Sequence, residues 1–234
     1  PEQRVEKAAE LGLPKFRVKQ LANHYFGHFD VNAAEFTDFP AAKRSEAAAA
    51  FFPQLITEVT RQVADEGTTI KTLWKLFDGS LIESVLMRYP TRTTLCISSQ
   101  VGCGMGCPFC ATGKLGLTRN MSTGEILEQV RVAARMMRDG EVAGGRGPPE
   151  QHRVHGAWGE PMGQLQLRAV RRTTDFRHAS RRLRHFRAQH HRIHGGRRSP
   201  ASRSSLPKAF PCVWPFPCHA PSDELRDELV PMNK

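Results

Sequence analysis

Three of the chain's six cysteines, Cys103, Cys107 and Cys110, fall within eight residues, spaced C-x-x-x-C-x-x-C and interleaved with Gly102, Gly104 and Gly106. The N-terminus has no charged-then-apolar layout of a secretory signal, so metal ligation is a better reading of this trio than disulfide pairing. Three thiolates at this spacing suit three corners of a [4Fe-4S] cube and leave the fourth iron without a protein ligand. An open iron takes the amino and carboxylate groups of S-adenosylmethionine (SAM), and one electron then cleaves the sulfonium to a carbon radical. The glycines allow the backbone to wrap closely around a cluster, and Phe109 offers an aromatic face beside a bound cofactor. The alternative is a structural zinc, which wants four closed ligands. The remaining cysteines, Cys96, Cys212 and Cys218, do not supply a second close pair.

The flanks of this loop predict where it sits. Residues 94–98 are rich in β-branched side chains and read as a short strand running into the cysteines. Residues 122–139 read as a helix: Ser122 and Glu125 form a capping box, Ile126, Leu127, Val130, Ala133, Ala134 and Met137 make an apolar stripe, and Gly140 suits the stop. A cysteine loop between strand and helix is the βα unit of a barrel or parallel sheet. From about residue 67 to 100 the period is two, with a hairpin signal at Asp78 and Gly79. Residues 1 to about 60 read as helical, with Phe16, Val18, Leu21, Ala22, Tyr25 and Phe26 on one face and Phe36, Phe39, Phe51 and Phe52 completing a small core.

From about residue 141 to 217 no period of 2 or 3.6 persists. The net charge of +11 is concentrated here: residues 146–208 carry 15 Lys and Arg against three acids, a local +12 that leaves the rest of the chain at −1. Taken at face value this is a basic RNA-binding tail. No run is long enough to span a bilayer, and an intracellular protein is expected.

Leu95 through Cys103, followed by Phe109, Cys110, Ala111, Thr112 and Gly113 and then Arg119, Asn120 and Met121, resembles the RlmN-type radical SAM methyltransferases over roughly residues 10–140. The likeness returns at Gly159, Glu160, Pro161 and Met162 and again from His219 to Pro231, although Pro217 and Cys218 stand where the family has Ser and Leu. The resemblance implies an α/β fold: an incomplete radical SAM partial (β/α) barrel over 94–234, an N-terminal helical domain over 1–60 and a β-hairpin extension over 61–93. It implies transfer of a methyl group to C2 of an adenine in 23S rRNA and, in many members, tRNA. The cofactors are a [4Fe-4S] cluster on Cys103, Cys107 and Cys110, and SAM held by Gly159, Glu160 and His219. Glu83 matches the general base that takes the C2 proton, and Cys96 a cysteine that resolves the methyl-carrier adduct. From the residues alone, Glu83 reads as an exposed strand carboxylate and Cys96 as a small core residue.

The partners implied are RNA and an electron donor such as flavodoxin or ferredoxin, with a cytoplasmic, monomeric protein; Lys15, Arg17 and Lys19 are the N-terminal cations available to RNA. The family carries its methyl group on a cysteine near the C-terminus, which corresponds to a position beyond Lys234, so the expectation is a truncated, inactive copy. The rival readings are the sister activity at C8 of adenine and a non-catalytic basic RNA-binding protein with a structural zinc. The unpatterned stretch has its own expectation. Encoding residues 162–167 as ATG GGC CAA CTA CAA CTC and removing one G gives Met-Ala-Asn-Tyr-Asn, which resembles the family text. A one-base shift of residues 187–196 gives Ala-Leu-Ser-Ile-Thr-Ala-Ser-Thr-Val. Residues 143–158 and 163–217 are therefore expected to be out of frame.

Overall fold

The computed structural model describes residues 2–90, 92–144, 154–156 and 222–229. Four helical pieces open the chain: α1 (Glu2–Glu10), α2 (Lys15–Asn23) running into a π-helical turn (His24–His28), a 3-10 turn (Ala33–Glu35), and α3 (Ala41–Phe51). Gly12 ends α1 in the left-handed conformation (φ +64°), where the Gly12 and Leu13 N–H groups close back on the Ala9 and Ala8 carbonyls. Pro14 and Pro40 precede α2 and α3 with φ near −60°, which presets the chain to enter a helix. Phe36 and Phe39 are buried with Ala8, Leu13, Leu21 and Ala47, and Phe51 and Phe52 pack against them, so the expected small core is present. Phe16 is not part of it. It is 57% exposed, with the Arg17 guanidinium 4.8 Å from its ring centre.

Strand β1 (Ile56–Ala64) begins inside the stretch expected to be helical. Its Thr57, Val59 and Thr60 are β-branched and favour extended backbone. Only Ile56 is buried, because β1 is an edge strand with a register shift between Glu58 and Thr60, and the alternation that reveals a half-buried strand is missing. Strands β2 (Thr69–Leu76), β3 (Leu81–Tyr89) and β4 (Arg92–Ile97) continue an antiparallel sheet, with the hairpin at Asp78 and Gly79 where the sequence predicts it. Gly79 has φ +84°, the conformation the turn requires.

The chain then leaves β4 for the cysteine loop, which is bracketed by two short strands of its own, β5 (Gln100–Gly102) and β6 (Leu117–Asn120), with α4 (Ala111–Lys114) between them. Helix α5 (Thr123–Asp139) follows, and β7 (Val154–Gly156) returns parallel to β4, giving the sheet order β1-β2-β3-β4-β7. Thus β4, α5 and β7 form a βαβ unit, and the protein is α/β. A last helix, α6, spans Asp223–Leu229.

Both ends of α5 match the sequence expectation. Ser122 and Glu125 make the reciprocal capping box, and Gly140 closes the helix at φ +78°. Its apolar stripe, Ile126, Val130, Ala133 and Met137, packs on Trp74, Ile82, Leu86, Leu95 and Ile97 from one face of the sheet. Each large side chain so buried contributes about 1.5–3 kcal/mol. A row on another side of α5 grips the N-terminal helices. Tyr25 donates to Glu128 (2.8 Å), Arg131 pairs with Glu128 and donates to the Phe29 carbonyl, Arg135 pairs with Glu35 (2.7 Å), and Arg138 pairs with Asp30 (2.7 Å). Between these helices and α5 lies a cavity of about 240 Å³ lined largely by apolar side chains, among them Leu21, Phe26 and Leu127. Among the described residues no helix is long and apolar enough to cross a membrane.

Candidate metal centre

The cysteine loop is pinched shut at its neck. Val101 pairs with Arg119 and Gly102 with Leu117 across β5 and β6, the Cys103 N–H donates to the Gly116 carbonyl (2.9 Å), and Gln100 Nε2 donates to Asn120 Oδ1 (2.8 Å). Gly102 is obligatory here. Its φ is +75°, and a Cβ would lie 2.0 Å from the Gly116 oxygen. Inside the loop the Cys110 N–H donates to the Cys107 carbonyl (3.1 Å), and a Cβ on Gly113 would touch the Cys107 backbone at 3.0 Å. These close approaches fold the backbone of residues 107–113 around its own cysteines.

Cys103 and Cys107 are buried and Cys110 is partly so. Burial pushes the Cys107 thiol up, and the neighbouring Cys103 and Cys110 push it further. Such a trio is relieved by a cation. Among the described residues no three Cys, His, Asp or Glu side chains converge as a single-ion site. A cube takes its cysteines at separate corners, so three thiols on one short loop suit a cluster better than a closed tetrahedral zinc, which takes four ligands.

Glu83 and Cys96 share one face of the sheet. On β3, Ile82, Ser84 and Leu86 are buried and Ile82 and Leu86 pack toward α5, so Glu83 and Val85 occupy the opposite face; Cys96 on β4 sits directly across from Val85. Lys71, two residues along β2 from the residue opposite Glu83, places its ammonium 2.8 Å from Glu83 Oε1. Burial pushes the Cys96 thiol up. Residue 155 on β7 stands in register beside Cys96. Gly159, Glu160 and His219 lie outside the described residues, as do most of residues 143–158 and all of 163–217.

The loop is bound to this face through Ser98. Its hydroxyl donates to the Glu83 carbonyl (2.7 Å), its N–H donates to Gln129 Oε1 (3.0 Å), and its carbonyl accepts from Gln129 Nε2 (2.9 Å). The loop's exit is held by Arg119, which pairs with Asp78 (2.6 Å) and Glu125 (2.8 Å) and lies over the Phe77 ring. The Arg119 guanidinium holds the Asp78 carboxyl down at about 2. Burial pushes the Glu125 carboxyl up, but Arg119 and the Ser122 N–H and hydroxyl outweigh it and leave it below the usual range. Lys71, Ser98, Arg119 and Gln129 were not among the residues singled out from sequence. Ser98 and Arg119 had a signal only as part of the text that resembles the family. Lys71 is visible only once the register of β2 on β3 is known.

No family model matches the chain. The chain is 73% identical, over an alignment of 236 positions covering all of it, to the probable dual-specificity RNA methyltransferase RlmN of Bifidobacterium longum (strain NCC 2705), and 66% identical to that of Bifidobacterium adolescentis. It spans about 60% of the length of each. Among solved structures it resembles a radical SAM methyltransferase from Sphaerobacter thermophilus, with a TM-score of 0.73 and 32% identity, over 97% of this chain and 64% of that one. On this likeness, which runs through the cysteine loop and the strands and helix that hold it, the chain belongs to the family of RlmN-type radical SAM RNA methyltransferases.

Proposed function

We propose that the chain carries the cluster-binding part of an enzyme that methylates C2 of adenine in 23S rRNA and tRNA. The observation that carries this reading is the gathering of Cys103, Cys107 and Cys110 in one closed loop, tethered by Ser98 to the carbonyl of Glu83. Cys103, Cys107 and Cys110 hold a [4Fe-4S] cluster, and Gly159, Glu160 and His219 hold SAM in a partial (β/α) barrel. When bound, the two supply a carbon radical able to activate an inert C–H bond.

Glu83 receives the C2 proton on a carboxylate oxygen, with Lys71 orienting the group and offsetting its charge. Cys96, on the same face, loses its thiol proton and attacks the sulfur of the methyl-carrier adduct, forming a disulfide while the adduct's carbon–sulfur bond breaks and its electron pair passes to the methylated base. Lys15 and Lys19, exposed and four residues apart on α2, meet the RNA phosphates; Arg17 is tied to Gln20 and to the Asp38 carbonyl, where it fixes the helix rather than reaching outward. The electron comes from a flavodoxin- or ferredoxin-type carrier, and the protein acts as a cytoplasmic monomer.

Anaerobic reconstitution of the 234-residue chain tests the reading at its base. About four irons and four sulfides per chain, with broad visible charge-transfer absorption, are expected. Zinc retained in place of iron sinks the proposal in favour of a structural metal site.

A further inference from the structure

We infer that Gln129 is the positioning residue that sets where the cysteine loop leaves the sheet. Strand β4 ends at Ile97, and Ser98 is wholly buried, so its N–H and carbonyl need partners that no described strand supplies. Gln129, 1% exposed on α5, supplies both: its carboxamide oxygen accepts from the Ser98 N–H at 3.0 Å and its nitrogen donates to the Ser98 carbonyl at 2.9 Å. A side-chain amide thereby imitates the peptide of a neighbouring strand at the single residue where the sheet gives way to the loop. The same nitrogen also reaches the Glu125 carbonyl one turn back (3.3 Å), which fixes the rotamer.

The consequence falls on two sets of residues. Ser98, so held, directs its hydroxyl to the Glu83 carbonyl, and the next residue accepts from the Met121 N–H (3.1 Å). The clasp thus joins the proton-accepting strand, the start of the loop and Met121, two residues before α5. The other bonds at the neck, Gln100 to Asn120 and Cys103 to Gly116, connect the two ends of the loop to each other. Gln129 ties the loop's entry to the helix that packs under the sheet, and so converts the rigidity of that core into a fixed position for the cysteines. This inference rests on the reading that the cysteines hold a cluster.

The test compares the full 234-residue chain with Gln129→Met, which keeps the volume and removes both bonds, and with Arg138→Ala, which weakens the far end of α5. After anaerobic reconstitution, iron release to a ferrous chelator is expected to be about tenfold faster in Gln129→Met, as for other residues that orient ligands from behind. The EPR spectrum of its reduced cluster is expected to shift as well. Arg138→Ala is expected to melt lower yet to keep the wild-type release rate and spectrum. Equal release rates and identical spectra for Gln129→Met and wild type overturn the inference. If wild type takes up no iron, the cluster reading fails and the inference with it.

Should Gln129→Met not fold, hydrogen exchange on the wild type decides. A Ser98 amide protected in the iron-free chain as in the loaded one supports a loop set by Gln129. Protection that appears only with iron overturns it.

Discussion

Helix α5 holds two different bodies, and it holds them by different physics. Toward the cysteine loop it offers a neutral, fully buried amide clasp at Gln129 and the capped, buried Glu125. Toward the N-terminal helices it offers a row of ions, Glu128, Arg131, Arg135 and Arg138, of which the outer two are about one-third exposed. Amide bonds in a dry core are indifferent to salt, whereas half-exposed ion pairs are screened. The difference teaches that the loop's entry is built to stay in one place while the attachment of the N-terminal helices can be tuned by the medium.

The sharpest way to break this contrast is Arg131→Ala. It strands Glu128, which is buried and hydrogen-bonded to Tyr25, so the loss is expected to be about 3 kcal/mol by denaturant unfolding. Iron release should not change, and faster release would show that the two attachments are not separate. Gly102→Ala acts on the other side. The new methyl meets the Gly116 oxygen and the left-handed backbone resists it, for about 2 kcal/mol of lost stability together with reduced iron retention. Normal retention in this variant would mean that the neck does not shape the site.

Smaller effects sharpen the comparison. Arg135→Ala and Arg138→Ala should each lose about 0.5–1 kcal/mol at low ionic strength, and most of that difference should vanish in 1 M salt. Smallest is the contribution of Asp78. Its folded carboxyl titrates at about 2, below its unfolded value, so its pairing with Arg119 stabilises fully above about pH 4 and is lost as pH falls from there toward 2. Asp78→Asn should erase that acid-side slope, read as the change in melting temperature between pH 5 and pH 2.5.

What could be read in the sequence was whatever repeats locally. The capping box at Ser122 and Glu125, the stop at Gly140 and the turn at Gly79 are each settled within a few residues, and all three are where the pattern puts them. The cysteine spacing is local too. Strand β1 escaped because an edge strand with one buried residue carries no alternation. The clasp escaped for a different reason: Ser98 and Gln129 are 31 residues apart, and nothing in either neighbourhood signals that an amide will pair with that one peptide. Lys71 and Glu83 meet only through strand register. That Glu83 and Cys96 share a face follows from the same register, and the family resemblance had pointed to both residues without saying why they belong together.

Tyr25 turns the junction with the N-terminal helices into an optical gauge. Burial, and then the carboxylate of Glu128, push its phenol far above the ordinary tyrosine range. The chain has one other tyrosine, Tyr89, at the far end of β3. While the helices stay seated, Tyr25 contributes nothing to the ultraviolet phenolate band at alkaline pH, and it joins that band once they lift away. A simple absorbance ramp with base therefore reads detachment of the first fifty residues directly, with no label and no cofactor.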